Sequence, residues 1–225
     1  MKYFTLFLTA GMLLFAASCK KGDNHKLDPN DQVPVDYMST QPGSWWLYAS
    51  NEDDVVYRRM ATGLDSVKDG FTYNYYESYD TVYQRTTPEY FGKNGDKFLM
   101  LVDLFDDQQQ YVTVVLSKDD PVVGDNWINT ESFTYSGIAL AAKFECEVVA
   151  TGLSMTINGK HYNNIVQLKN ELKARPSISP IFANCGTVMI WYSKGIGIIK
   201  RNFDINILSL YKRQYTDSLI DYHIE

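Results

Sequence analysis

Histidine and cysteine are scarce in this chain, at three residues each, and that scarcity removes whole classes of chemistry. His25, His161 and His223 are far apart, with no His-Glu-x-x-His pair and no Cys/His cluster, so a zinc site has no ligand set. A Gly-x-Ser-x-Gly elbow is absent too, and with it the serine-hydrolase signature. Gly195-Ile196-Gly197 lacks the third glycine and following helix of a phosphate cradle. Positive charge is in deficit, 21 basic residues against 27 acidic ones for a net charge of −6. Such a chain has no electrostatic pull toward nucleic acid. The adjacent pairs Arg58-Arg59, Lys200-Arg201 and Lys212-Arg213 do not form a basic patch, because neighbours in a strand point to opposite faces. Acidic pairs such as Asp106-Asp107 and Asp119-Asp120 fall in expected turns without calcium-loop spacing. No metal, cofactor or catalytic residue is assigned, and the chain is read as a non-enzyme.

A long apolar run is missing as well. Phe4 to Ala17 carry no charge, but a membrane-spanning helix takes about 20 apolar residues. Lys2 before the run and the small residues Ala16-Ala17-Ser18 at its end are the layout of a secretory signal peptide. Ala16-Ala17-Ser18-Cys19 resembles a lipobox, the processing site of bacterial lipoproteins. The resemblance implies cleavage after residue 18 and acylation of Cys19. One acyl chain binds a bilayer only reversibly, whereas two or more anchor stably. Lys20, where aspartate would retain a lipoprotein at the inner membrane, points to the outer membrane. The expected location is therefore the cell envelope, with a lipid anchor as the membrane contact.

Residues 19–41 are polar, contain Pro29 and Pro34, and show no sustained apolar period. They read as a flexible tether. From residue 42 to 225 the signals are for strands and a single β-rich domain. Lys143-Phe144-Glu145-Cys146-Glu147-Val148 alternates charged and apolar side chains, the period of a half-buried strand. Asp69-Gly70, Asn94-Gly95 and Asn158-Gly159 lie between strand-like runs, and these dipeptides suit a type I′ hairpin. Leu168 to Ala174 is the one short stretch that reads as a helix.

Ala61-Thr62-Gly63-Leu64 recurs as Ala150-Thr151-Gly152-Leu153, with Tyr73-Asn74 echoed by Tyr162-Asn163. We read this as two repeated β-modules, about 42–120 and 121–225. Phe98-Leu99-Met100-Leu101-Val102, Tyr111 to Leu116 and Val188 to Tyr192 are apolar on both faces. A sheet with one wet side does not need this. The expected fold is all-β and antiparallel, either a curved half-barrel or a β-sandwich. Gly124-Asp125-Asn126-Trp127, Asn158 to Asn164 and Trp191-Tyr192-Ser193-Lys194-Gly195-Ile196-Gly197 together resemble a pattern of Bacteroidota secreted lipoproteins of uncharacterised function. That resemblance implies a curved sheet like those of lipoprotein carriers, and no catalytic residues.

Two cysteines remain once Cys19 is acylated. Cys146 and Cys185 would gain roughly 4 kcal/mol from a disulfide in the chain-entropy argument, but both lie in apolar strand-like contexts that suit buried free thiols. Both alternatives stay open. Seventeen tyrosines, eleven phenylalanines and four tryptophans exceed the needs of one core. Tyr73, Tyr75 and Trp191 are the ligand-binding candidates, since an apolar ring with a polar tip suits sugars and buried strands alike. The expected partner is a hydrophobic ligand, a glycan or an envelope protein.

Overall fold

The computed structural model describes residues 38–68, 70–103, 111–135, 137–207 and 211–225. The signal peptide, Cys19, the tether up to residue 37 and the Asp106-Asp107 pair lie outside the described residues. Runs rich in β-branched and aromatic residues, punctuated by Gly, Asn and Asp, become twelve strands among the described residues. They are β1 (Trp45–Ser50), β2 (Val56–Lys68), β3 (Phe71–Asp80), β4 (Arg85–Asn94), β5 (Lys97–Asp103) and β6 (Tyr111–Lys118). The second half supplies β7 (Asn126–Tyr135), β8 (Ile138–Ile157), β9 (Lys160–Pro176), β10 (Ala183–Ser193), β11 (Gly197–Ile207) and β12 (Tyr211–His223).

All twelve belong to one antiparallel sheet in the order β6-β5-β4-β3-β2-β1-β12-β11-β10-β9-β8-β7. Each half of the chain is a six-stranded meander, and the two join where β1 pairs with β12. The sheet curls until its free edges, β6 and β7, come together, so it is nearly closed into a barrel. Of the two arrangements open from sequence, curling rather than stacking is the outcome. Closure at the last seam uses side chains. Trp127 Nε1 donates to Val115 O at 2.7 Å, and Val115 N donates to Asn129 Oδ1 at 3.3 Å. These bonds satisfy part of an edge that would otherwise invite pairing with another chain.

The Asn158-Gly159 turn has positive φ at both residues, 49° and 78°, between the paired residues Ile157 and Lys160. That is the I′ geometry expected. At the β4–β5 turn the centre moves by one residue. Asn94 pairs with Lys97 inside the ladder, leaving Gly95 and Asp96 as the loop. Leu168 to Ala174 is strand, not helix. Leu168, Asn170, Leu172 and Ala174 are buried in alternation, a period of two that overrides their helical propensity. The repeated Ala-Thr-Gly-Leu stretches are both β-bulges, with Gly63 at φ 72° and Gly152 at φ 68°. The likeness is local: β2 has 13 residues and β8 has 20, and one continuous sheet holds both.

Inside the barrel, Trp46, Tyr48, Tyr76, Phe91, Leu116, Ile165, Leu168, Ile198 and Leu219 form the main core. A second cluster joins Val112 and Val114 of β6 to Phe144, Leu172, Cys185 and Ile207 across the lumen. Burying each such side chain contributes about 1.5–3 kcal/mol. The opposite face of β3–β6 carries its own cluster of Tyr73, Leu99, Leu101 and Val115. This accounts for strands that are apolar on both faces. Gly92 is required there: a Cβ at that position would lie 2.7 Å from Thr72 O and 3.0 Å from Tyr73 Cδ1.

Candidate functional site

The inner face of a strand is chosen by alternation, and in β2 it falls on Tyr57, Arg59 and Ala61, while Arg58 is exposed. Arg59 is thereby drawn into the lumen with no exposed surface. Its NH2 pairs with Glu89 of β4 at 2.5 Å, and its NH1 donates to Tyr48 O at the phenol, 3.1 Å away. Ser78 Oγ donates to the other oxygen of Glu89. A second pair, largely buried, lies beside it. Arg201 of β11 binds Asp217 of β12 through Nε at 3.1 Å and NH2 at 2.7 Å. Tyr57 OH donates to the same carboxylate at 2.9 Å, and the Tyr48 and Tyr57 rings stack at 5.1 Å. Two arginines and two carboxylates, with Tyr48 of β1, thus span β1, β2, β4, β11 and β12. Arg59 Nε and Asp217 Oδ1 are buried with no hydrogen-bond partner.

Charges in such a place shift each other. Burial alone would raise Glu89, but Arg59 and then Arg201, with the Ser78 hydrogen bond, hold it below the usual carboxylate range. Burial alone would lower Arg59, yet Glu89, Tyr48 and Tyr57 hold it above its ordinary value. Burial pushes the Tyr48 phenol up to about 12. The thiol of Cys146, which donates to Asn170 Oδ1, is also pushed up to about 12 by burial, so it is protonated at neutral pH. These groups keep one protonation state through the neutral range. The two ion pairs and their tyrosines link five strands.

In front of this cluster lies the mouth of the lumen. A recess of about 260 Å³ is walled by Tyr76, Phe91 and Phe98, with Asn74 and Lys93 at the same site and Met38 and Thr40 closing one side. Residues 38–41 act as a strap. Tyr76 OH donates to Ser39 O at 2.9 Å, Ser39 and Ser44 share a hydroxyl bond of 3.1 Å, and Met38 is buried. Met38 lies within the stretch read as tether. It packs into the main core. A separate recess of about 380 Å³ lies along β7, β8 and β9, lined by Trp127, Cys146, Glu145, Glu147 and Lys169. Its Glu145 is held by Lys143 at 2.6 Å and by Lys173. Among the described residues no group of three or more His, Cys, Asp or Glu is placed to hold a metal ion.

The sequence candidates are not brought together. Tyr73 is fully buried and shares a hydroxyl bond with Thr113 at 2.9 Å. Tyr75 is half-buried, donating to Glu77 at 3.2 Å and leaning on Tyr90. Trp191 lies on β10, five strands along the sheet from β3, with Lys200 over its ring at 5.2 Å. Cys146 and Cys185 are buried free thiols. They sit on β8 and β10 with β9 between them, and two strand spacings of about 4.8 Å each exceed the Cα separation of a disulfide. Arg59 and Glu89 were not singled out from sequence. The available signal was the Arg58-Arg59 pair itself, since one member of a strand pair must face inward.

Against known proteins, no family model and no curated protein matches the sequence. The fold is similar to that of a candidate lipoprotein from Parabacteroides distasonis, with a TM-score of 0.53 over 83% of this chain and 98% of that one. Identity is 10%, so the likeness is one of fold.

Proposed function

We propose that this chain is a lipid-anchored envelope protein whose barrel is a non-enzymatic binding or accessory domain. The observation that carries the reading is Ala16-Ala17-Ser18-Cys19 behind a short uncharged run. The likeness in fold to a chain described as a lipoprotein supports it. The non-enzymatic part is supported by the state of the buried groups. Glu89 is paired with Arg59 and held below the usual carboxylate range, so it is not poised as a general acid or base near neutral pH. A carrier of bulky acyl cargo is disfavoured by a lumen whose middle is filled by Trp46, Tyr48, Leu116 and Ile198, each at most 1% exposed.

Mass spectrometry of the mature N-terminus tests the anchor. The expected result is an acylated Cys19 and a protein that follows the outer-membrane fraction. A Cys19→Ala chain should leave that fraction. A free Cys19 thiol in the membrane-extracted protein overturns the reading.

A further inference from the structure

We propose that the recess at the barrel mouth binds a small monocarboxylate with an apolar body, a single ring or a short chain. It rests on reading the barrel as a binding domain and names the class of ligand. Three features of the site lead there. The walls are aromatic, with Tyr76 and Phe91 edge to face at 5.3 Å and Phe98 on the adjoining strand β5, a surface that favours an apolar body. The volume, about 260 Å³, lies just under the roughly 300–1,000 Å³ usual for ligand pockets. That admits one ring or one short chain and leaves no room for a two-chain lipid. Charge decides the polar end. Among the lining residues Lys93 is the one permanent cation and no carboxylate is present.

Lys93 reaches Asp119 at 2.9 Å, with 39% and 44% of the two side chains exposed. A solvated pair of this kind is worth about 0–1 kcal/mol, so an incoming carboxylate exchanges for it readily. The same ammonium lies 4.8 Å from the centre of the Phe98 ring, which places the charge at the edge of the apolar wall. Asn74 spends its amide on Phe91 O at 3.4 Å, and Thr40 adds a hydroxyl from the strap. The strap wall is preformed. Ser39 is fixed by Tyr76 and Ser44, and Met38 rests against Arg59, its sulfur 3.9 Å from NH1. A ligand therefore meets a shaped site with little ordering cost.

The test uses the full chain carrying Cys19→Ala, free of detergent, titrated with decanoate, decanol and a two-chain phosphatidylglycerol vesicle. Binding is read by calorimetry and by the Met38 methyl resonance. Decanoate is expected to bind more tightly than decanol and to shift the Met38 methyl, with no uptake from the vesicle. Thr40→Trp, placed on the half-buried strap, should weaken decanoate about tenfold. Lys93→Gln should weaken decanoate about fivefold and leave decanol unchanged. Silence with decanoate, equal loss of both probes in Lys93→Gln, or residues preceding Met38 found filling the recess would each overturn the site. The two proposals fail separately. A free Cys19 thiol removes the anchor and leaves this titration intact, whereas silence here removes the site and leaves acylation of Cys19 untouched.

Discussion

The two meanders meet twice, and they are joined by different physics at each place. Between β1 and β12 a backbone ladder runs from Trp45↔His223 to Ser50↔Asp217. On its inner side the Arg201–Asp217–Tyr57 and Arg59–Glu89 groups tie β2 and β4 to β11 and β12 through their charges. Between β6 and β7 there is no ladder among the described residues; Trp127 and Asn129 side chains reach the Val115 backbone instead. A ladder shares its load over many bonds, whereas a side-chain seam concentrates it on Trp127, Asn129 and Cys146, all bonded to the Val115 backbone. The seam is the place where this barrel should open first, and the charged junction is the place where a single change should cost most.

The largest effect is expected at the junction. Arg59→Met leaves the half-buried Glu89 beside an uncharged side chain, and breaking a pair of this kind costs about 3 kcal/mol, the lower end of the buried range, measurable by urea unfolding. Adding Glu89→Leu should recover most of that loss, since the uncompensated charge is then gone as well. A double variant no better than the single one would show that the pair contributes packing rather than charge balance.

At the seam, Trp127→Phe keeps the ring and removes the donor to Val115 O. Val115 O keeps the Cys146 Sγ donor at 3.4 Å, so the loss is that of one hydrogen bond, about 1 kcal/mol. Amide exchange in β6 should accelerate while β1 and β12 stay protected; uniform acceleration would erase the contrast between the two joints. Acid separates them further. The folded Glu89 titrates below its ordinary value, so its contribution is full above the unfolded carboxylate range and is lost as the pH falls through the folded value. Glu89→Gln should flatten this acid limb of stability, and Trp127→Phe should leave its slope unchanged.

The smallest effect concerns a tie from the β8–β9 hairpin to the junction. Asn158 Nδ2 donates to Leu219 O at 2.9 Å while Asn158 itself sits at φ 49°. Asn158→Gly accepts that backbone and loses the bond, a change of about 0.5–1.5 kcal/mol in thermal unfolding. A neutral result would place the support of β12 wholly in its ladder.

Much of this was legible beforehand where alternation is strict. Phe144, Cys146 and Val148 are buried as their spacing demands, and Asn158-Gly159 makes the turn its residues favour. The all-β antiparallel class followed from such local patterns. Other features were invisible because they depend on distant partners. Tyr73 is buried by β4 to β6 rather than offered to a ligand, and Leu168 to Ala174 became strand because β8 and β10 flank it. The mouth recess combines residues 38–40 with β3, β4 and β5, which no single window contains.

By itself, the chain determined which residues alternate and where it turns, because those properties lie between neighbours within a few positions. Tertiary structure decided that the sheet curls onto itself, that Cys146 and Cys185 stay apart, and that Arg59 rather than Arg58 enters the lumen beside Glu89. Such outcomes depend on which edges meet and which faces close, and hydrogen bonding and burial set them only when all twelve strands are in place.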